Sequence, residues 1–161
     1  MNTSSLLESE AEVSVPFTVD LDEFLSRPLF GYLATASEGG SRVSPVWFLW
    51  EEEVMWIMGN READTFPTRI ERDPRSALAI VDFDRKTGLV HHVEMRGRAH
   101  VLPFDQERAR RLLHRYLGTQ EDEWDAQRFI EPLDDPDNVF IRFEPETVVA
   151  RDQSYQPSPH L

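Results

Sequence analysis

The chain has 161 residues, a formal net charge of -13 and no cysteine. That length suits one domain around a single core. The acidic balance argues against nucleic acid or an anionic membrane as partner, and the lack of cysteine excludes disulfides and thiolate metal sites.

Residues 1–15 carry Glu8, Glu10 and Glu12 and no apolar run, so they read as a flexible N-terminal arm without a secretion signal. No stretch approaches the roughly 20 apolar residues of a membrane helix. The expectation is a cytoplasmic protein with an arm at 1–15, one domain over 16–152 and a C-terminal tail at 153–161.

Thr18 to Leu25 predicts a short helix, capped by Thr18 or Asp20, with Leu21, Phe24 and Leu25 on one face. Pro28 ends it. Residues 30–59 then predict three consecutive antiparallel strands. Glu38-Gly39-Gly40-Ser41 supplies the first turn, where glycine tolerates positive φ, and the mutually repelling Glu51-Glu52-Glu53 supplies the second. Arg42 to Trp50 is rich in β-branched and aromatic residues and predicts one strand. Pro45 donates no ladder hydrogen bond, so that strand has an edge or a bulge there.

A helix capped by Asp64 or Thr65 follows, with Pro67 in its first turn and Asp73-Pro74 at its end. Ser76 to Phe83 is an apolar strand and Asp84 to Gly88 a turn. Leu89 to Leu102 is a long strand. Its Val93, Met95, Gly97, Ala99 and Val101 share one face, and its His92, Glu94, Arg96, Arg98 and His100 the other. Gly97 marks a bend or a close approach by another backbone. Residues 105–117 form the clearest helix, with Gly118 as its stop. The acidic stretch 119–136 holds Trp124, Phe129 and a short helix before Pro132. Asn138–Phe143 and Thr147–Asp152 read as two strands around a Glu144-Pro145-Glu146 turn. The total is an antiparallel barrel decorated by helices.

Leu33-Ala34-Thr35, Val43-Ser44-Pro45-Val46-Trp47-Phe48, Arg72-Asp73-Pro74-Arg75-Ser76-Ala77-Leu78 and Arg96-Gly97-Arg98-Ala99 occur in that order. This ordered set, over about residues 20–152, resembles the pyridoxamine 5'-phosphate oxidase-like family of flavin- and deazaflavin-binding proteins. The resemblance implies a mainly β fold with helices: a six-stranded antiparallel split β-barrel (the FMN-binding split barrel). It also implies a symmetric homodimer, with two cofactor sites each lined by both chains. The cofactor would be FMN or the 8-hydroxy-5-deazaflavin coenzyme, carrying a hydride through its ring for a small organic substrate.

Ser44, Pro45, Val46 and Trp47 resemble the strand that runs along the cofactor ring in that family. For Trp47, core or dimer packing is the competing reading; Trp50 reads as packing. Where the family usually carries Ser or Thr and then a basic pair for the cofactor phosphate, this chain has Asp64, Thr65 and Phe66. An aspartate has the wrong sign for a phosphate and Phe66 has no donor. The remaining local donors are Asn60, Arg61, Thr65, Thr68 and Arg69, of which Arg61 and Arg69 are the leading phosphate contacts.

His91 and His92 are adjacent and so face opposite ways on their strand. His92 shares a face with Glu94 and is the candidate proton donor, set against a solvent-facing polar stripe. No metal site is expected. Beside the oxidoreductase, two readings stay open: a non-catalytic small-ligand barrel with an eroded phosphate site, and a haem-binding barrel with a histidine ligand.

Overall fold

The computed structural model describes residues 20–161. The arm at 1–15 and the Thr18 cap lie outside the described residues. Helix α1 (Leu21–Leu25) starts at Asp20, whose carboxylate accepts a hydrogen bond from the Glu23 amide at 3.1 Å.

Seven strands follow: β1 (Gly31–Thr35), β2 (Arg42–Val46), β3 (Leu49–Glu51), β4 (Val54–Asn60), β5 (Arg75–Asp84), β6 (Leu89–Pro103) and β7 (Asn138–Asp152). They form one antiparallel sheet in the order β2-β1-β5-β6-β7-β4-β3. Its two edge strands, β2 and β3, are joined by Trp47 and Phe48 alone. A sheet whose far edges are two residues apart must curl back on itself. No ladder joins those edges, so the barrel is split rather than closed.

Two expectations are corrected here. Arg42 to Trp50 is not one strand. Phe48 gives its N–H to the Tyr116 hydroxyl at 3.0 Å, and its carbonyl accepts from the Arg115 guanidinium, so its backbone groups leave the ladder. The run therefore breaks into β2 and β3, and the structure has seven strands where the resemblance implies six. Conversely, Glu144-Pro145-Glu146 is not a turn. β7 runs through it against β6, with a bulge where Gly97 faces Pro145 and Arg96 faces Thr147. A Cβ on Gly97 would stand 1.9 Å from the Glu144 carbonyl oxygen, so glycine alone admits this passage. The close approach expected at Gly97 is the one seen.

Alternate residues of the strands fill the barrel: Leu33, Met55, Ile57, Leu78, Ile80, Met95, Ile141 and Phe143 are fully buried, with Phe48 from the β2–β3 link and α1's Phe24 and Leu25. Each such side chain contributes about 1.5–3 kcal/mol of burial. Trp50 reaches back to α1, its indole N–H donating to Asp22 at 2.7 Å.

The other side of the sheet is unevenly covered. Helix α3 (Gln106–Leu117) packs Ala109, Leu112 and Leu113 onto Val54, Trp56 and Phe140, so β4 is buried on both faces. Asp105 caps α3 through the Glu107 and Arg108 amides, and Gly118 stops it at φ +86°. Helix α4 (Ala126–Phe129), between two 3-10 turns, extends this layer. Among the described residues, no helix covers the outer face of β1, β2 and β5. There Tyr32, Val43, Val81 and Phe83 are exposed, Val43 by 63%. Among the described residues, no helix is long and apolar enough to cross a membrane, and no cluster of side chains could hold a metal ion.

Candidate functional site

The split in the barrel places a cleft of about 560 Å³ beside the end of β2. That is within the few-hundred to thousand Å³ range of small-molecule sites. Pro45, Val46 and Trp47 form one wall and Met58 of β4 another. The rest comes from Ala63, Asp64 and Phe66 at the start of helix α2 (Phe66–Arg72), Leu112 and Leu113 of α3, and Arg128 and Phe129 of α4. Pro45 is tolerated because β2 is an edge strand, where a missing N–H breaks no ladder.

Trp47 is held rather than free. Its indole stacks on the Tyr116 ring, centroids 4.4 Å apart and planes 1° apart, and on Phe129 at 5.8 Å and 13°. Two aromatic rings therefore fix the indole of this wall residue by stacking. Tyr116 is itself fixed: its hydroxyl accepts from the Phe48 amide and donates to the Leu29 carbonyl at 2.7 Å. Burial pushes the phenol pKa up, so the hydroxyl keeps its proton at neutral pH.

The turn from β4 into α2 is built by its own polar groups. Asn60 Oδ1 accepts from the Glu62 and Ala63 amides, both at 3.0 Å, and Asp64 accepts from the Asn60 amide at 2.9 Å. The Asn60 side-chain amide also donates to Asn138. Asp64 therefore has a structural use where a phosphate ligand would need a cation. Thr65 occupies the cap position of α2 without capping it, because its hydroxyl accepts from the Arg69 guanidinium at 2.5 Å instead.

Of the residues singled out in the sequence, Pro45, Val46 and Trp47 come together on this cleft. Ser44 is half-buried on β2 opposite Leu33 and does not line it. Arg61 turns to Glu71 in an exposed ion pair of 2.6 Å, a contact of little energetic worth. Arg69 lines a different cleft, beside the β1–β2 turn. His92 lies on the sheet's outer face between Val81 and Arg151, with a ring nitrogen 3.2 Å from Gln153.

The sequence reading did not foresee Met58, Leu112, Leu113, Arg128 or Phe129 as lining residues. Leu112 and Leu113 carried a core-stripe signal, and Phe129 was visible as an aromatic in an acidic stretch. Nothing local in Met58 or Arg128 marks either one.

A family model described as pyridoxamine 5'-phosphate oxidase matches residues 17–152. Three solved structures share the fold. An F420 reductase is 25% identical, with a TM-score of 0.61, and the match covers 83% of this chain and 98% of that one. An FAD-binding protein from Mesorhizobium loti is 19% identical, with a TM-score of 0.61 and coverage of 86% and 96%. HutZ from Vibrio cholerae, a heme storage protein, is 15% identical, with a TM-score of 0.62 and coverage of 82% and 92%. No curated relative matches the chain by sequence.

Proposed function

The chain belongs to the pyridoxamine 5'-phosphate oxidase family, and from that premise we propose that it is an oxidoreductase holding a flavin or deazaflavin ring in the cleft at Pro45, Val46 and Trp47. One observation carries this reading. The strand segment that resembles the family's ring-binding strand opens onto a cleft of about 560 Å³, walled otherwise by Met58, Phe66, Leu112, Leu113 and Phe129. Apolar and aromatic walls of that size suit a planar ring.

The residues fit the ring. Asp64 and Phe66 offer nothing to a phosphate, and Arg128 is the cation on the cleft's lining. When bound, the cofactor would supply the hydride chemistry. Pro45 and Val46 would exclude water from one side of it. Tyr116 would keep Trp47 in place as a wall. Arg128 would meet negative charge at the rim.

The proposed assembly is a homodimer through the outer face of β1, β2 and β5, where Tyr32, Val43, Val81 and Phe83 stand exposed among the described residues. His92 does not line the cleft of its own chain, so its proposed role as proton donor requires the second copy.

The named neighbours support a ring cofactor without choosing one, since an F420 reductase, an FAD-binding protein and a heme storage protein share this fold. The cleft lining of one chain holds no histidine among the described residues, so a haem ligand there would also have to come from the second copy. The second reading is a non-catalytic binding barrel, and Asp64 and Phe66 at the phosphate positions favour it.

Titrating the purified protein with FMN and with the 8-hydroxy-5-deazaflavin coenzyme, followed by visible absorbance, tests the proposal. Saturable binding of either, with reduction of the bound ring by an added donor, is expected. Binding without any turnover, or no binding of either, overturns the oxidoreductase and leaves the second reading.

A further inference from the structure

Helix α4 lies in an acidic part of the chain. From Glu121 to Asp137 the sequence carries eight Asp and Glu residues and one cation, Arg128. Coulomb attraction alone would fold that guanidinium onto a neighbouring carboxylate. It does not go there. Among the described residues Arg128 makes no ion pair and no side-chain hydrogen bond, although its backbone amide donates to the Asp125 carboxylate at 3.2 Å.

Arg128 instead lines the cleft at Trp47. Its guanidinium stands 5.6 Å from the centre of the Phe129 ring, a cation–π distance that orients the charge without cancelling it. The segment that carries it is tied down. Phe129 stacks on Trp47. After α4, the Gln106 side chain donates to the Leu133 carbonyl at 3.1 Å and the Asn138 side chain to the Pro132 carbonyl at 2.6 Å. The other charged residue on the cleft lining, Asp64, already accepts from the Asn60 amide. One uncancelled cation therefore faces a cleft walled by Met58, Phe66, Leu112 and Phe129.

A guanidinium grips a carboxylate through two parallel, charge-assisted hydrogen bonds. With Asp64 on the same lining and so many carboxylates nearby, a dianion would meet repulsion that one cation does not offset. A monoanion is balanced by it. We infer that the cleft takes an organic monocarboxylate with a flat apolar body. Arg128 binds the carboxylate, and the aromatic and aliphatic walls hold the body. As a substrate class this rests on the ring-binding reading above; as a binding site it stands on Arg128 and the cleft.

The test titrates the full chain, methyl-labelled at methionine, with cinnamate and with its neutral amide at low ionic strength. The series is run without added cofactor and again with FMN or the deazaflavin coenzyme. A saturable shift of the Met58 methyl is expected from cinnamate, with the amide bound roughly tenfold or more weaker, the usual worth of a charged hydrogen bond. Arg128→Gln brings the acid down to the affinity of the amide and leaves the amide where it was, which shows the cleft intact. Arg128→Lys restores part of the preference. R85Q, on the distant β5–β6 turn, removes the same charge and keeps the preference in full. Equal affinities for acid and amide in the unmodified chain, a preference that survives R128Q, or equal losses in R128Q and R85Q overturn the site. An Arg128-dependent preference in a chain that binds neither cofactor supports the anion site and overturns the ring. A chain that binds a ring and shows no preference in either series overturns the anion site alone.

Discussion

The Trp47 indole lies parallel to the Tyr116 ring, 4.4 Å between centroids and 1° between planes. Tyr116 sits on α3 and Trp47 at the point where the barrel wall splits, so this stack ties the helical layer to the gap. The Tyr116 hydroxyl continues the tie by satisfying Phe48, the residue whose backbone leaves the ladder.

Tyr116→Phe keeps the stack and removes the hydroxyl. The Phe48 amide then loses its acceptor in a half-buried position. A loss of about 1–3 kcal/mol of stability is expected, the cost of an unsatisfied buried donor. Urea unfolding at pH 7 measures it. A midpoint equal to that of the unmodified chain would show that the hydroxyl does not hold the split open.

Gly97→Ala places a Cβ where the Glu144 carbonyl oxygen now stands 1.9 Å away. Neither backbone has room to give without breaking the β6–β7 ladder. Destabilisation of about 3 kcal/mol or more is expected from this overpacking. Thermal unfolding reads it, and a shift of less than a degree would contradict the bulge geometry.

Asp73 has its pKa lowered from 3.8 to about 2, first by its hydrogen bond from the Arg75 side chain and next by that from the Arg75 amide. A depressed carboxylate contributes above its unfolded value and loses that contribution as pH falls through the folded one. The window here runs from about pH 4 down to about pH 2. In Arg75→Gln the Asp73 carboxyl should titrate clearly higher, still held below its ordinary value by the amide at position 75. Carbon-13 detection of the carboxyl resonance follows this directly. An unmoved midpoint would remove Arg75 as the cause.

Val81→Glu puts a charge in the middle of the exposed apolar face. Val81 points outward two residues before Phe83 on β5, in a sheet region that no helix covers among the described residues. Light scattering should give twice the 18.7 kDa chain mass for the unmodified protein and a single chain for the variant. Equal masses for the two would place the proposed dimer contact elsewhere.

Much of the barrel was legible because its signals are local. Gly97 reads as a close approach because only a missing Cβ permits one, and Gly118 stops α3 where its apolar stripe ends. The break at Trp47 and Phe48 was not legible, because its cause, Arg115 and Tyr116, sits nearly seventy residues away. Glu144-Pro145-Glu146 has turn composition, yet cross-strand pairing with β6 on both sides carries the strand through it. The site divides in the same way. Pro45, Val46 and Trp47 are marked by their own motif. Arg128 and Phe129 reach the cleft only through the packing of α4, and Arg61 was drawn off by Glu71, a partner ten residues ahead.

The central claim is that a planar ring occupies the cleft walled by Trp47 and Met58. The chain has four methionines; among the described ones Met58 alone lines that cleft, while Met55 and Met95 are sealed inside the barrel. Methyl-labelled methionine NMR with saturating FMN or deazaflavin coenzyme tests this most directly. The account predicts a large ring-current shift of the Met58 methyl with Met55 and Met95 essentially unmoved. A bound ring that leaves Met58 in place would contradict it.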